Sequence, residues 1–205
     1  ILAGSAVALY ESNIKRLLAY SSVAQVGYIL LGASLVSVTG LSASLLHMFN
    51  HALAKGTLFL AVMMLALRYS QLELAHLGGA ARRMPWTMAA FAVAGLSLIG
   101  VPGTAGFISK WYLVAAALDE GPLGLALIAV IVCGSLMAVV YIWRIVEVAW
   151  FADEPTDVAT VREAPAPMLA VLWLAALANL WFGLATALPR ELATAAAISL
   201  LGHLP

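Results

Sequence analysis

Three ionisable side chains recur at four-residue intervals within one apolar segment of the sequence. His47, His51 and Lys55 lie in a run from about Leu41 to Leu67, which is long enough to cross a bilayer. Four residues make a little more than one helical turn, so the three side chains stack on one helix face, roughly 6 Å apart. Lys55 falls near the bilayer midplane, where an ionisable group costs at least about 2.5–3.5 kcal/mol on insertion scales and normally faces a partner, a cavity or a pathway.

Proton transfer is the chemistry that these residue types allow. A histidine titrates near neutral pH and has two ring nitrogens, so it can accept a proton on one and release it from the other. Removal from water disfavours the charged form of an ammonium group, which brings its proton exchange toward the physiological range. We therefore interpret His47, His51 and Lys55, with water between them, as a proton-conducting column. The spacing ranks His51 above His47, because His51 is one turn from the lysine.

Other interpretations of the column stay open on the sequence alone. Histidines are common in helix packing, and His47 and His51 could also ligate zinc, although no third ligand is in sight. Buried lysines can be held in fixed ion pairs, which would make the chain a non-conducting structural scaffold. A scaffold tolerates arginine at Lys55, whereas a proton-conducting column does not, because a guanidinium group keeps its proton.

A later apolar segment is interrupted in its middle. The apolar pattern runs over 34 residues, 85–118, which is too long for one upright span, and it contains Gly100-Val-Pro-Gly-Thr-Ala-Gly106. Pro102 removes a backbone donor, and Gly103 with the flanking glycines removes side-chain support, so we predict a discontinuous helix. At membrane depth such a break is tolerated inside protein or beside a wet cavity. A simple packing kink is the alternative.

Lys110 follows this break by about one turn, with Ser109 beside it as an auxiliary hydroxyl. Two of the chain's three lysines, Lys55 and Lys110, are thus predicted to lie in the membrane interior. Water collected at unpaired backbone groups of the break would lower the cost of a charged lysine. We predict that the break is the hydrated end of the column.

A polar stripe runs down the preceding segment. Ser21, Gln25 and Tyr28 stand at positions i, i+4 and i+7, on one face of a helix. In lipid such a stripe turns inward, because unpaired polar groups facing acyl chains are costly. The stripe is predicted to support the column, although adhesion between helices is the commoner use of such residues.

Composition places the chain among polytopic helical membrane proteins. Of its 205 residues, 64% are hydrophobic and 10% are charged. The net charge of zero argues against a nucleic-acid partner. The lone Cys133 cannot form an internal disulfide or a cysteine metal cluster. No nucleotide loop, haem pair or iron–sulfur motif is visible, so we expect no cofactor, no bound metal and no redox or hydrolytic site, and leave open whether the chain is an enzyme.

The apolar runs predict an all-α bundle. After a partial first helix, spans are expected at about 17–38, 41–67, 85–118 (broken), 123–151 and 168–188, with Thr39-Gly40 as a turn, a loop over 152–167 and a tail after 188. The opening inside an apolar segment suggests a fragment that lacks its N-terminal part. Arginine and lysine mark the first, third and fifth connections, which the positive-inside rule makes cytoplasmic in a bacterial plasma (inner) membrane.

Four stretches resemble one family. These are Asn13–Tyr28, His47–Leu60, Leu77–Pro85 and Gly100–Lys110. In order and spacing they resemble the proton-translocating antiporter-like subunits shared by respiratory complex I and the multisubunit Mrp antiporters. The resemblance covers about residues 1–150, and nothing beyond that matches reliably.

The resemblance implies the C-terminal half of such a subunit, with residues 1–151 forming most of the second of two inverted five-helix repeats and residues 152–205 a loop, a last span and a tail. It implies that Lys55 lies on a central hydrophilic axis, that Lys110 lies at the broken helix, and that His47 and His51 connect them. The expected function is proton translocation in a monovalent cation/proton antiporter, most like the Mrp D subunit. The alternatives are a proton-pumping subunit of complex I and a structural scaffold. The expected partners are other membrane subunits, protons and, in the antiporter, sodium.

Overall fold

The structure is built from helices joined by short connections. A computed structural model describes residues 1–153 and 161–202, and in these ranges no β-strand occurs beyond an isolated bridge between Asn13 and Glu73. The helices are α1 (Leu2–Tyr10), α2 (Ile14–Ser34), α3 (Val38–Ala66), α4 (Ala80–Arg83), α5 (Pro85–Ile99), α6 (Ala105–Leu118), α7 (Pro122–Phe151), α8 (Ala166–Leu184) and α9 (Ala187–Leu201). The predicted all-α class is confirmed.

Several helices are long and apolar enough to cross a membrane. Among the described residues these are α2, α3, α7 and α8, and the shorter apolar helices α5 and α6 follow one another along the chain. Helix α7 has 30 residues, or about 45 Å at the rise of an α-helix, which exceeds the hydrocarbon thickness of a bilayer. The chain is a multi-pass membrane protein.

Side-chain caps set the starts of α2 and α3. Asn13 Oδ1 accepts hydrogen bonds from two backbone N–H groups of the first turn of α2, at 3.1 and 3.4 Å. Ser37 Oγ accepts one from the Gly40 N–H at 3.0 Å. Both residues are preferred N-caps, and the helices begin at Ile14 and Val38, ahead of the predicted starts at 17 and 41.

The turn between α2 and α3 lies at residues 35–37, so the prediction of a turn at Thr39-Gly40 is wrong. Val36 takes the left-handed conformation there, with φ +46°. Gly40 instead lies inside α3, where a Cβ atom would come within 2.7 Å of the Gly32 carbonyl oxygen of α2. The glycine therefore permits close helix packing.

The helix over 85–118 is discontinuous, as predicted. Helix α5 ends at Ile99, and Gly100 and Gly103 have φ of +92° and +89°, which favour glycine. Helix α6 begins at Ala105. The two half-helices touch next to the break, because a Cβ atom on Gly106 would overlap the carbonyl oxygen of Ser97.

Helix α3 lies at the centre of the bundle. It packs against α2, α5, α6, α8 and α9, while α7 packs against α1, α5 and α6. Gly183 of α8 sits directly on the break, since a Cβ atom there would lie 2.5 Å from the Gly103 carbonyl oxygen. Helix α3 is thus enclosed by protein on several sides.

The last part of the chain departs from the predicted bounds. Helix α8 ends at Leu184 rather than at 188, and Pro189 lies in the first turn of α9, where a proline is tolerated. Helix α9 then packs on α3. The predicted loop over 152–167 falls partly on residues 154–160, and the tail partly on 203–205, which lie outside the described residues.

Candidate functional site

Lys55 is buried where α3 meets α2. Its side chain is 5% exposed. The Nζ atom donates a hydrogen bond to the Leu18 carbonyl oxygen at 2.6 Å and another to Ser21 Oγ. Within the described residues no carboxylate lies within 4 Å of this amine. Lys55 is therefore held by neutral acceptors.

His47 is the junction of three helices. Its Nε2 lies 3.0 Å from Gln25 Oε1 of α2, and its Nδ1 lies 2.9 Å from Ser109 Oγ of α6. Because an amide oxygen only accepts, Nε2 carries a hydrogen. In the neutral ring Nδ1 accepts from the Ser109 hydroxyl, and in the protonated ring Nδ1 donates to it. In the second case the hydroxyl hydrogen can turn to the Gly106 carbonyl oxygen, 3.2 Å away.

His51 is less engaged than His47. Its ring is stacked on that of His47, with centroids 6.4 Å apart and planes 12° apart. The residue is half-buried, and its buried Nδ1 has no hydrogen-bond partner among the described residues. His51 thus adjoins both His47 and Lys55 along α3 without a direct hydrogen bond through Nδ1.

Lys110 binds the carbonyl groups at the C-terminal end of α5. Its Nζ donates to the carbonyl oxygens of Leu98 and Ile99, at 3.1 and 2.9 Å, and to Ser135 Oγ of α7 at 3.1 Å. The last carbonyls of a helix lack intrahelical partners and carry partial negative charge, so an ammonium group is favourable there. Lys110 also lies 4.9 Å from the centroid of the Tyr28 ring.

Tyr28 links the two ends of the site. Its ring meets the His47 ring edge-on at 5.4 Å, while Lys110 lies over its face. Its hydroxyl donates to the Ile131 carbonyl oxygen of α7 at 3.2 Å. The stripe of Ser21, Gln25 and Tyr28 is fully buried and faces the α3 column.

A cavity of about 270 Å³ lies beside Lys110. Its walls include Gly100 of the break, Trp111 of α6 and Ser135 of α7. The other wall residues are apolar, so the ammonium group and the serine hydroxyl are its polar features. Pro102 and Gly103 shape the break next to it without contributing a side-chain bond among the described contacts.

Sequence reasoning missed Tyr141 of α7. The residue is fully buried, and its hydroxyl lies near the side chains of Ser21 and Gln25. Its hydroxyl oxygen makes no direct hydrogen bond to a described residue. Tyr141 therefore lies close to the serine that contacts Lys55 and to the glutamine that contacts His47. The available signal was a phenolic hydroxyl within a long apolar run.

Asn50 and Ser135 were also missed. Asn50 Nδ2 donates to the Ala105 carbonyl oxygen at 2.6 Å and so ties α3 to the first residue of α6. Ser135 is the α7 partner of Lys110. A polar residue between the two histidines of the column was a usable signal for Asn50. Ser135 had none, because its position depends on how α7 packs.

The protonatable groups of the site form a series rather than a cluster of metal ligands. The described residues contain no cluster of three His, Cys, Asp or Glu side chains that could hold a metal ion. Both ring nitrogens of His47 already face Gln25 and Ser109. Lys55, His47 and Lys110 instead form a series of protonatable groups separated by hydroxyl and amide side chains.

Sequence and fold both match known membrane subunits. The family described as NADH:quinone oxidoreductase/Mrp antiporter, TM, matches residues 1–138. NADH-quinone oxidoreductase subunit N of Desulforudis audaxviator (strain MP104C) is 43% identical over 167 residues, which are 82% of this chain and 33% of the relative. A chain of the Mrp complex from Dietzia sp. DQ12-45-1b has a TM-score of 0.89 and 29% identity, over 98% of this chain and 45% of that chain. A chain of the archaeal membrane-bound sulfane sulfur reductase has a TM-score of 0.83 and 37% identity, over 89% of this chain and 30% of that chain.

The chain spans less than half of the length of each of these relatives, from 30% to 45%. The family match includes Lys55, His47, Lys110 and Ser135. It extends over about two thirds of the sequence, and the folds superpose over nearly all of it. With a discontinuous helix and a buried lysine on each side of His47, the chain belongs to the membrane-subunit family shared by NADH:quinone oxidoreductases and Mrp antiporters.

Proposed function

We propose that this chain is part of a proton-translocating membrane subunit of a multisubunit monovalent cation/proton antiporter. The proton path runs between Lys55 and Lys110 through His47. The observation that carries the proposal is the series of buried protonatable groups without a carboxylate partner among the described residues. A lysine that serves only as half of a fixed ion pair would need such a partner, because an unpaired buried charge is costly.

His47 supplies the central step. A proton that reaches Nδ1 through the Ser109 hydroxyl makes the ring cationic, and the hydroxyl then turns to the Gly106 carbonyl oxygen. Loss of the Nε2 proton toward the Gln25 side returns a neutral ring in the other tautomer. Rotation of the His47 ring, or exchange of its proton with the neighbouring groups, restores the starting tautomer. Because Gln25 cannot itself accept a proton onward, the step from Nε2 to Lys55 requires water, and Tyr141 and Ser21 line that gap.

The break supplies the end of the path. Lys110 sits over the α5 carbonyls and beside the cavity, and the proposed path ends at this cavity. Ser109 precedes it on α6 and contacts His47. Pro102 and Gly103 support this arrangement because they lie in the break itself, between the last residue of α5 and the first residue of α6.

The subunit is proposed to work with other membrane subunits in a bacterial plasma membrane. Its first, third and fifth connections are proposed to be cytoplasmic. In support, the first and third connections pair through Ile14 N–H to the Leu72 carbonyl at 3.0 Å and Leu74 N–H to the Ser12 carbonyl at 2.9 Å. The Arg82 guanidinium of the third connection donates to the Ala152 carbonyl at the start of the fifth. These three connections thus share one side of the bundle.

A subunit of an NADH-quinone oxidoreductase is the second candidate. The 43% identity to subunit N favours it, while the high structural similarity to the Mrp chain favours the antiporter. Purified parent complex in vesicles distinguishes the two. A sodium gradient drives proton movement in the antiporter, whereas NADH with a quinone drives it in the oxidoreductase.

The test of the path is a pair of substitutions in the full-length subunit within its complex. Lys55→Ala and Lys55→Arg are both expected to abolish or strongly reduce proton movement, measured with a pH-sensitive dye in vesicles, because arginine does not release its proton. Lys15→Arg, at an exposed lysine, is the matched control and should transport normally. Normal transport by assembled Lys55→Arg complex would exclude proton release from residue 55 and support the scaffold.

A further inference from the structure

The start of α5 is held by a carboxylate from far along the sequence. Glu163 Oε2 accepts from the backbone N–H groups of Trp86 and Thr87, at 2.8 and 3.3 Å. Its Oε1 accepts from the Thr87 hydroxyl at 2.6 Å and from the Ala164 N–H at 2.9 Å. Four donors therefore converge on one side chain, 76 and 77 residues away from its α5 partners.

Helix α5 needs this partner because its own sequence provides no cap. Pro85 at the first helical position has no N–H, and Met84 at the N-cap position makes no side-chain hydrogen bond. The next two N–H groups would stay unpaired without Glu163. A carboxylate is also the favourable charge at the positive end of a helix.

The segment that carries Glu163 is also anchored at the end of α3. Val161 and Ala164, on either side, are buried. The Arg68 guanidinium, just after α3, donates to the Glu163 backbone carbonyl at 3.3 Å. Glu163 therefore joins the end of α3, the start of α5 and the approach to α8.

The other end of α5 carries the carbonyl groups that hold Lys110. Leu98 and Ile99 accept its hydrogen bonds, as described above. Helix α5 has 15 residues, or about 22 Å, and its hydrogen-bonded backbone moves largely as one piece. A shift at its start is therefore transmitted to the groups that solvate the Lys110 ammonium.

We propose that Glu163 is a positioning residue, which sets the place of α5 and so keeps the Leu98 and Ile99 carbonyls under Lys110. The inference rests on the proposed proton path, because it gives Glu163 an effect on transport through Lys110. It assigns to the connection before α8 control over the break at the far end of the half-helix. Glu163 itself takes no part in proton transfer in this scheme.

The test uses Glu163→Gln in the assembled full-length complex, which keeps the side-chain shape but replaces one acceptor by an NH₂ donor. Two readouts are taken: proton transport per assembled complex, and backbone hydrogen–deuterium exchange in lipid nanodiscs. Exchange at 85–89 is expected to rise by about 2- to 30-fold, the range for a lost helix cap. Exchange at 97–104 is expected to rise as well, and transport to fall severalfold. Glu73→Gln, at an exposed acid, is the control and should change neither.

A purely local role for Glu163 would give a different pattern. Faster exchange confined to 85–89 with unchanged transport overturns the inference. If Glu163→Gln does not assemble, Thr87→Val removes one of the four contacts and should show the same pattern more weakly; normal exchange at 97–104 in that variant also overturns it. Lys110→Ala separates the two proposals. Normal transport in Lys110→Ala means that the proton path itself is wrong, whereas inactive Lys110→Ala with fully active Glu163→Gln means that only the positioning role is wrong.

Discussion

Ser109→Ala is the substitution that most directly tests the junction at His47. The Ser109 hydroxyl is fully buried, and it is the described partner of His47 Nδ1, at 2.9 Å. Alanine leaves that buried nitrogen without its hydrogen-bond partner. The neutral ring then loses an acceptor contact, whereas the protonated ring buries an unpaired N–H of a cation, which costs more.

The size of the effect follows from that difference. An unsatisfied buried polar group costs about 1–3 kcal/mol, and more when it is charged. If this penalty falls on the protonated ring during transfer, the rate drops by about 5- to 150-fold, since about 1.4 kcal/mol corresponds to tenfold. The bundle should still assemble, because the change removes one oxygen atom and no apolar contact.

The assay is initial proton flux in vesicles, divided by the amount of assembled complex. Ser44→Ala is the matched control, because Ser44 is also a buried serine and lies on α3. Its hydroxyl donates to the Ile29 carbonyl oxygen at 2.7 Å and makes no hydrogen bond to His47. We expect a change of less than about twofold there, as for a neutral hydrogen bond that plays no part in transfer. Equal fluxes in Ser109→Ala and Ser44→Ala would refute the assignment of Ser109 to the path.

Three further predictions use the same flux assay. His47→Ala should slow transport more than His51→Ala, because His47 holds two hydrogen bonds to other helices; small, equal effects would favour packing roles. Tyr141→Phe should slow transport by up to about tenfold, the value of one hydrogen bond to the water proposed between His47 and Lys55, without loss of assembly; an unchanged rate would remove its hydroxyl from the path. Gly106→Val should destabilise the subunit by about 1–3 kcal/mol or more through overlap with the Ser97 carbonyl, seen as less assembled complex on native gels, and normal yields would contradict the tight contact.

Helix content and the break were predictable because they depend on local sequence. Runs of apolar residues fix the class, and Gly100 with Pro102 cannot continue a helix. The turn near residue 36 was misplaced, because Gly40 has a packing role that depends on α2 rather than on its neighbours in sequence. Helix ends also moved where a cap such as Ser37 outweighed hydropathy.

The candidate site was predictable only where periodicity places residues on one face. Lys55, His47 and the stripe on α2 could be chosen in that way, and the structure brings them together. Periodicity does not show which of His47 and His51 has more contacts with other helices, because the partners of His47 come from α2 and α6. Tyr141 and Glu163 reach their partners through packing between helices that are distant in sequence, which spacing along the chain does not contain.

The close contacts of the glycines limit how this bundle can transmit energy. Gly40 on Gly32, Gly106 on Ser97 and Gly183 on the break leave almost no clearance between backbones. Sliding any of these pairs by one turn would bring a larger side chain into a space that holds only a hydrogen atom. We therefore expect a driving event elsewhere in a complex to reach Lys110 without a one-turn slide of helices, as a change of electric field, of side-chain orientation or of the position of a half-helix by a fraction of a turn. Such coupling would proceed through local changes at successive sites rather than through a large rigid-body movement of one group of helices against another.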